Sequence, residues 1–261
     1  MNDGNMKMPQ DLQSKIFGLA GSCSSEGSSD PSATSCCPVS RSLANGYKDE
    51  CKIECCDEGG SDRPPYTKVM PEDRRFGVVI VNEECPDSCD FTCILMFLAE
   101  AFHEAEDAET LNFSECTPAV VFDCSLLIVA ADSDTSDWIL KAARPMSPTY
   151  SANPFIKHFQ LVRCTFVIPM IVEEPLCKVF YIIEKQNAGL NTGKWCVMKK
   201  AKLDPCSLDY PSKAIYQSGD NYELVVYICL DSKCYIENHC ARIRYMLWNL
   251  PVEFIQGFKC S

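Results

Sequence analysis

Nineteen cysteines and three histidines are the side chains of this chain best suited to chemistry. Three groupings invite a metal: Cys51-x3-Cys55-Cys56, Cys85-x3-Cys89-x3-Cys93, and Cys234 with His239 and Cys240. A tetrahedral zinc ion is gripped most readily by a Cys-x2-Cys knuckle, whose two thiolates reach one ion together, and none of the three contains it. Cys93 also falls on the apolar stripe of a predicted helix. The odd cysteine count, spread without small-loop spacing along a chain far longer than a disulfide mini-protein, fits reduced packing thiols. No metal is expected, and the compartment is the nucleus or the cytoplasm. His103, His158 and His239 stand in no nucleophile motif, and the sequence has no Gly-rich phosphate loop and no Gly-x-Ser-x-Gly elbow. Neither enzymatic activity nor a cofactor is expected. Lys194, Lys199, Lys200 and Lys202, placed around Trp195, are suited to contact phosphate beside an aromatic ring. The same lysines would equally serve as a solvated edge strand that blocks aggregation.

Charge restricts where a polyanion could approach. Residues 1–65 carry 10 acidic and 6 basic side chains, net −4, and residues 66–158 carry 16 and 6, net −10. Residues 159–261 carry 10 and 12, net +2, within a total of −12 for the 261-residue chain. Only the last segment can meet a nucleic-acid backbone.

The elements that must position these residues begin after a long polar tail. Residues 1–65 hold runs such as Gly21–Asp30 and Gly59–Asp62, a composition unable to bury enough apolar area to offset chain entropy, so a disordered Ser/Gly/Cys-rich tail is expected. Within it, Leu12, Ile16 and Leu19 recur at helical spacing and suit a helix that folds on a partner. Ile16–Ala20 is too short for a signal-peptide core, and apolar runs such as Phe166–Val172 are far short of a membrane span.

From Phe76 onward strands and helices alternate. Phe76–Asn82 reads as a buried strand, Phe91–Ala108 as a helix with Ile94, Phe97, Leu98, Ala101 and Phe102 on one stripe, Pro118–Phe122 and Ser125–Ala131 as strands, and Thr135–Ala143 as a second helix. Phe159–Ile168 reads as the strand that closes this round. A second round follows: Thr165–Met170, a helix over Pro175–Gln186, strands over Lys194–Lys202 and Glu223–Leu230, a helix near Lys233–Arg242 and a strand around Met246–Ile255. Each half has a strand leaving through an Asp-Ser pair, Asp132-Ser133 and Asp231-Ser232, suited to capping the next helix. The expected fold is α+β: two tandem ferredoxin-like β-α-β-β-α-β modules at 66–158 and 159–261.

That topology resembles the RNA-recognition motif, whose two central strands display aromatics for base stacking. Thr165-Phe166-Val167-Ile168-Pro169-Met170 is similar to the family's shorter signature strand, with Phe166 in the stacking slot. Asp220-Asn-Tyr222-Glu-Leu224-Val-Val-Tyr227 resembles the longer one, with Tyr222 in a slot but Leu224 in place of the second aromatic. In the first module Val79 occupies the slot and Ser125–Val129 has no stacking residue, so that module is degenerate. A closer resemblance, over roughly Phe76–Phe254, is to an insect retroelement-associated domain family of unknown function. It is carried by Asp134-Thr-Ser-Asp-Trp138-Ile-Leu, by Phe166-Val-Ile-Pro169, and above all by Glu184-Lys-Gln186-Asn187-Ala-Gly189-Leu190-Asn-Thr192-Gly-Lys-Trp195. The domain family implies the fold alone, whereas the RNA-recognition resemblance implies a nuclear regulator that binds single-stranded RNA, acting in pre-mRNA processing or splicing regulation, with Phe166 and Tyr222 stacking bases; the charge pattern would then put Lys194, Lys199, Lys200 and Lys202 on phosphates. The alternative is a non-enzymatic adapter derived from a retroelement coat-like protein, meeting protein partners through its helical faces and the tail helix. Trp138 and Trp195 are expected in the cores.

Overall fold

The computed structural model describes residues 63–114, 119–170 and 174–255. Nearly all of the predicted tail, with its helix and its cysteines, lies outside the described residues. Among those described, the chain is a mixed α+β protein with two antiparallel sheets and six α-helices.

The first unit runs β1 (Gly77–Asn82), α1 (Thr92–Glu104), β2 (Ala119–Phe122), β3 (Ser125–Val129), α2 (Ser133–Ala143) and β4 (Tyr150–Pro154). Its sheet has the order β2-β3-β1-β4. β1 is central and β-branched, and Val78, Val79 and Ile80 are each 0% exposed, so both faces of this strand are covered. The β2–β3 hairpin turns through Asp123 and Cys124, both at positive φ, as a tight turn matched to strand twist requires. Asp132 caps α2 as expected: its carboxylate accepts from the Thr135 backbone N–H at 2.8 Å and from Asn112 Nδ2 at 2.9 Å, which holds it below the usual carboxylate range. The strand that closes the unit is β4, paired with β1 from Val78↔Pro154 to Asn82↔Tyr150. This corrects the assignment of Phe159–Ile168 to that place: Phe155–His158 is a short helix, α3, after which β5 (Val162–Met170) opens the second unit.

The second unit continues from β5 through α4 (Leu176–Gln186), β6 (Cys196–Lys202), α5 (Tyr210–Lys213), β7 (Asp220–Ile228), α6 (Leu230–Asn238), β8 (Arg242–Tyr245) and β9 (Trp248–Phe254). The sheet order is β6-β7-β5-β9-β8, with β8 a strand not anticipated. α6 starts earlier than expected, with Cys229 at its N-cap, which places Asp231-Ser232 inside its first turn instead of at the cap.

Three apolar clusters hold the units. One packs α1 and α2 on the first sheet through Val78, Ile80, Ile94, Leu98, Leu126, Ile128 and Ile139. A second packs α4 and α6 on the second sheet around Phe166, Ile168, Phe180, Ile183, Trp195, Val226 and Ile236. The third joins the units: Val79, Leu127 and Val129, on the opposite face of the first sheet, meet Tyr66, Val69, Phe155 and Leu161, with Cys196, Tyr227 and Cys229 from the second unit. The strip 63–76 stitches this junction. Arg74 is 4% exposed and donates to the Val69 (3.0 Å), Thr67 (3.0 Å), Thr192 (3.2 Å) and Trp195 (3.0 Å) carbonyls, while the Val197 N–H donates to the Pro71 carbonyl at 2.9 Å.

Cysteine departs from expectation at one place. Cys89 and Cys124 form a disulfide, Cα–Cα 4.3 Å, tying the segment before α1 to the β2–β3 turn. Cys164 and Cys196 are buried free thiols that burial pushes up to about 12, and Cys177 is buried as well.

Candidate nucleic-acid interface

The residues singled out for RNA fall on one edge of the second sheet. β6 is the edge strand, and a bulge between Val197 and Lys199 shifts its register so that Lys199 lies opposite Val225, Lys200 opposite Leu224 and Lys202 opposite Tyr222. Directly opposed residues share a face. Leu224 also lies opposite Phe166, and both belong to the core under α4 and α6, so Lys200, Lys202 and Tyr222 project on the helix side of the sheet and Lys199 on the other.

This parity corrects the stacking assignment. Phe166 is 3% exposed, with its ring 6.3 Å from that of Trp195 inside the core, so no base can reach it unless the core opens. Tyr222 is half-buried against the same core. The side chains β5 turns away from the helices are Arg163, Thr165 and Val167. None offers an aromatic platform.

The lysines are exposed or half-exposed, and most are already engaged. Lys200 Nζ lies 5.1 Å from the Tyr222 ring centroid, and Lys194 Nζ lies 4.6 Å from that of Phe159. Lys202 donates to Asp220 at 2.6 Å, a hydrogen bond that raises its ammonium above the ordinary lysine value. Lys199 is exposed at the bulge. The Lys200 and Arg74 charges also reach Glu72, whose carboxyl is nonetheless held above the usual range, chiefly by burial and further by Asp73.

Trp138 and Trp195, two of the three tryptophans, are placed as expected. Trp195 is 0% exposed, and its indole N–H donates to Ser232 Oγ at 3.0 Å, which in turn donates to the Asn191 carbonyl at 3.0 Å. Trp138 is half-buried with its ring edge-on to Phe102 at 5.9 Å. Among the described residues no cluster of three or more His, Cys, Asp or Glu is arranged to hold a metal ion. Cys89 lies in its disulfide, and His239 Nδ1 is 2.7 Å from the Tyr235 carbonyl. No described helix is long and apolar enough to cross a membrane.

The stretch 184–195 is the structural hub of the second unit. Glu184 Oε1 accepts from the Arg63 guanidinium at 3.0 Å and the Thr192 hydroxyl at 2.9 Å. Gln186 and Asn187 reach the β8–β9 hairpin: Gln186 accepts from the Met246 N–H at 2.6 Å and donates to its carbonyl at 3.0 Å. Asn187 does the same for Arg244, at 2.9 Å each way. Gly189, at φ +94, makes the turn that L side chains rarely adopt. A shallow cleft lined by Arg63, Tyr181, Glu184, Lys185, Leu190 and Asn191 runs beside this hub. Arg63, Gln186 and Asn187 were not among the expected site residues, although Gln186 and Asn187 lie in the most specific motif of the sequence.

No curated protein and no solved structure matches this chain. Residues 68–253, which take in nearly all of both sheets and most of the strip that joins them, match the model of the family described as Domain of unknown function (DUF4780), and the chain belongs to that family.

Proposed function

We propose that the chain is a non-enzymatic interaction adapter made of two ferredoxin-like modules, the first serving as scaffold. The order β2-β3-β1-β4 with a helix after β1 and another after β3 supports the module assignment, and β6-β7-β5-β9 repeats it with β8 added outside. The observation that carries the adapter reading is the burial of the first sheet on both faces. Val79, in the slot where the RNA-recognition resemblance expects an aromatic, is 0% exposed beneath the junction with the second unit. With Phe166 in the second core and Tyr222 and Tyr227 half-buried, no fully exposed aromatic stands on the strands matched to the signature pair, which leaves the edges, turns and outer helix faces to partners.

A second reading, a nuclear RNA-binding regulator of pre-mRNA processing, is favoured by Lys199, Lys200 and Lys202 standing exposed along one strand. Such binding would be led by phosphate contacts, so its affinity must fall steeply with salt. Electrophoretic mobility shift of the full chain with random single-stranded RNA across a salt series separates the two. The adapter reading expects no shift that survives physiological salt, and Phe166→Ala lowering the melting temperature without touching RNA. A salt-sensitive shift abolished by Lys199→Glu, Lys200→Glu and Lys202→Glu together would transfer the conclusion to RNA.

A further inference from the structure

The β8–β9 hairpin ends in a turn of unusual composition. A two-residue turn that follows the strand twist needs positive φ, which is why Asn and Gly dominate such turns. Here Met246 and Leu247 fill it, between the closing pair Tyr245↔Trp248. Met246 sits at φ +53 and Leu247 is 91% exposed, so the chain accepts both backbone strain and an apolar tip in water. The tip is also fixed in place. Gln186 and Asn187 hold it with the four hydrogen bonds described above, and Tyr245 behind it is 1% exposed. Arg242 and Arg244 are exposed on the same hairpin.

We propose that this tip is a docking knob for a second copy of this chain, seated on the outer stripe of α1. The two surfaces are complementary. On α1, Met96 is 51% exposed and is followed along the same stripe by the exposed Glu100 and Glu104, an apolar foothold bordered by carboxylates, within a segment of net charge −10. Leu247 beside Arg244, in a segment of net charge +2, matches it in both polarity and sign. The contact joins unlike surfaces, so it is heterologous and runs copies head to tail, into a ring where the rotation closes and an open filament where it does not.

Light scattering coupled to size exclusion on the full chain, from micromolar to sub-millimolar concentration at low and high salt, tests it. The expected result is a mass that rises with concentration, falls with salt, and stays at the monomer value for Leu247→Asp, whose site is solvent-exposed and whose melting should match wild type; Leu247→Asn is the second variant should it not. Arg242→Glu with Arg244→Glu, and separately Glu100→Arg with Glu104→Arg, should each be monomeric alone and associate with each other when mixed. A wild-type monomer at every concentration overturns the proposal, as does association that Leu247→Asp leaves unchanged. Charge-reversed chains that fail to associate on mixing overturn the α1 seat.

Discussion

Glu72 lies in the strip ahead of β1 with its Oε2 buried and without a hydrogen bond. Burial, and secondarily Asp73, raise its carboxyl above the usual glutamate range, against the opposing charges of Lys200 and Arg74. The native chain therefore holds this proton more tightly than the unfolded chain. As pH rises through the window between the ordinary glutamate value and the raised native one, the unfolded state releases its proton first and stability falls. Glu72→Gln should be more stable than wild type at neutral pH, and the two should converge below the ordinary glutamate range, as urea unfolding at a series of pH values would record. Phe166 shows what was legible at this scale. The order Arg163-Cys164-Thr165-Phe166-Val167-Ile168 already puts Phe166 on the side of Cys164 and Ile168, with Arg163 and Thr165 opposite. Period-two alternation therefore carried its true orientation, while likeness to a signature strand pointed the other way. The Arg74 cage had no such signal, since its acceptors are backbone carbonyls up to 121 residues away in sequence.

The hub 184–195 acts on whole elements by clamping one hairpin to one helix end. Asn187 is 6% exposed and satisfies both backbone groups of Arg244, so Asn187→Ala leaves two part-buried backbone groups without these partners. The expected cost is about 1–3 kcal/mol, read by denaturant unfolding, with faster hydrogen exchange confined to the Arg244 and Met246 amides. Elements with a continuous apolar run or stripe, such as β1, α1 and α4, were readable. β4 was not, because Tyr-Ser-Ala-Asn-Pro has little strand character of its own and is extended by its pairing with β1. β8 alternates in the short run Arg-Ile-Arg-Tyr, but the Met246-Leu247 turn lacks the Asn or Gly that marks a hairpin in sequence.

Across the whole molecule the junction makes two units one body. Arg74 joins the strip 63–76 to Thr192 and Trp195, so Arg74→Met removes hydrogen bonds that span the units. The loss should be roughly 3 kcal/mol or more, and unfolding followed at Trp138 in the first unit should separate from that at Trp195 in the second, whereas the two should coincide in the wild type. The division into two sheets was visible from the alternation of elements. Their fusion was not, because the residues that cover the first sheet, among them Tyr66, Cys196 and Tyr227, come from opposite ends of the sequence and look like ordinary loop and strand residues.

That junction has a consequence for how the chain is made. The first sheet is complete once Pro154 has been synthesised, yet its Val79, Leu127 and Val129 face waits for Cys196 and Tyr227. At the roughly 5–20 residues per second of translation, that face stays uncovered for several seconds on every ribosome. During that interval only Tyr66, Val69 and the short α3 helix stand between it and its neighbours. Newly made chains should therefore lean on chaperones until β7 emerges, and ribosomes stalled shortly before β6 should hold a nascent chain whose sheet is built but whose surface is still adhesive.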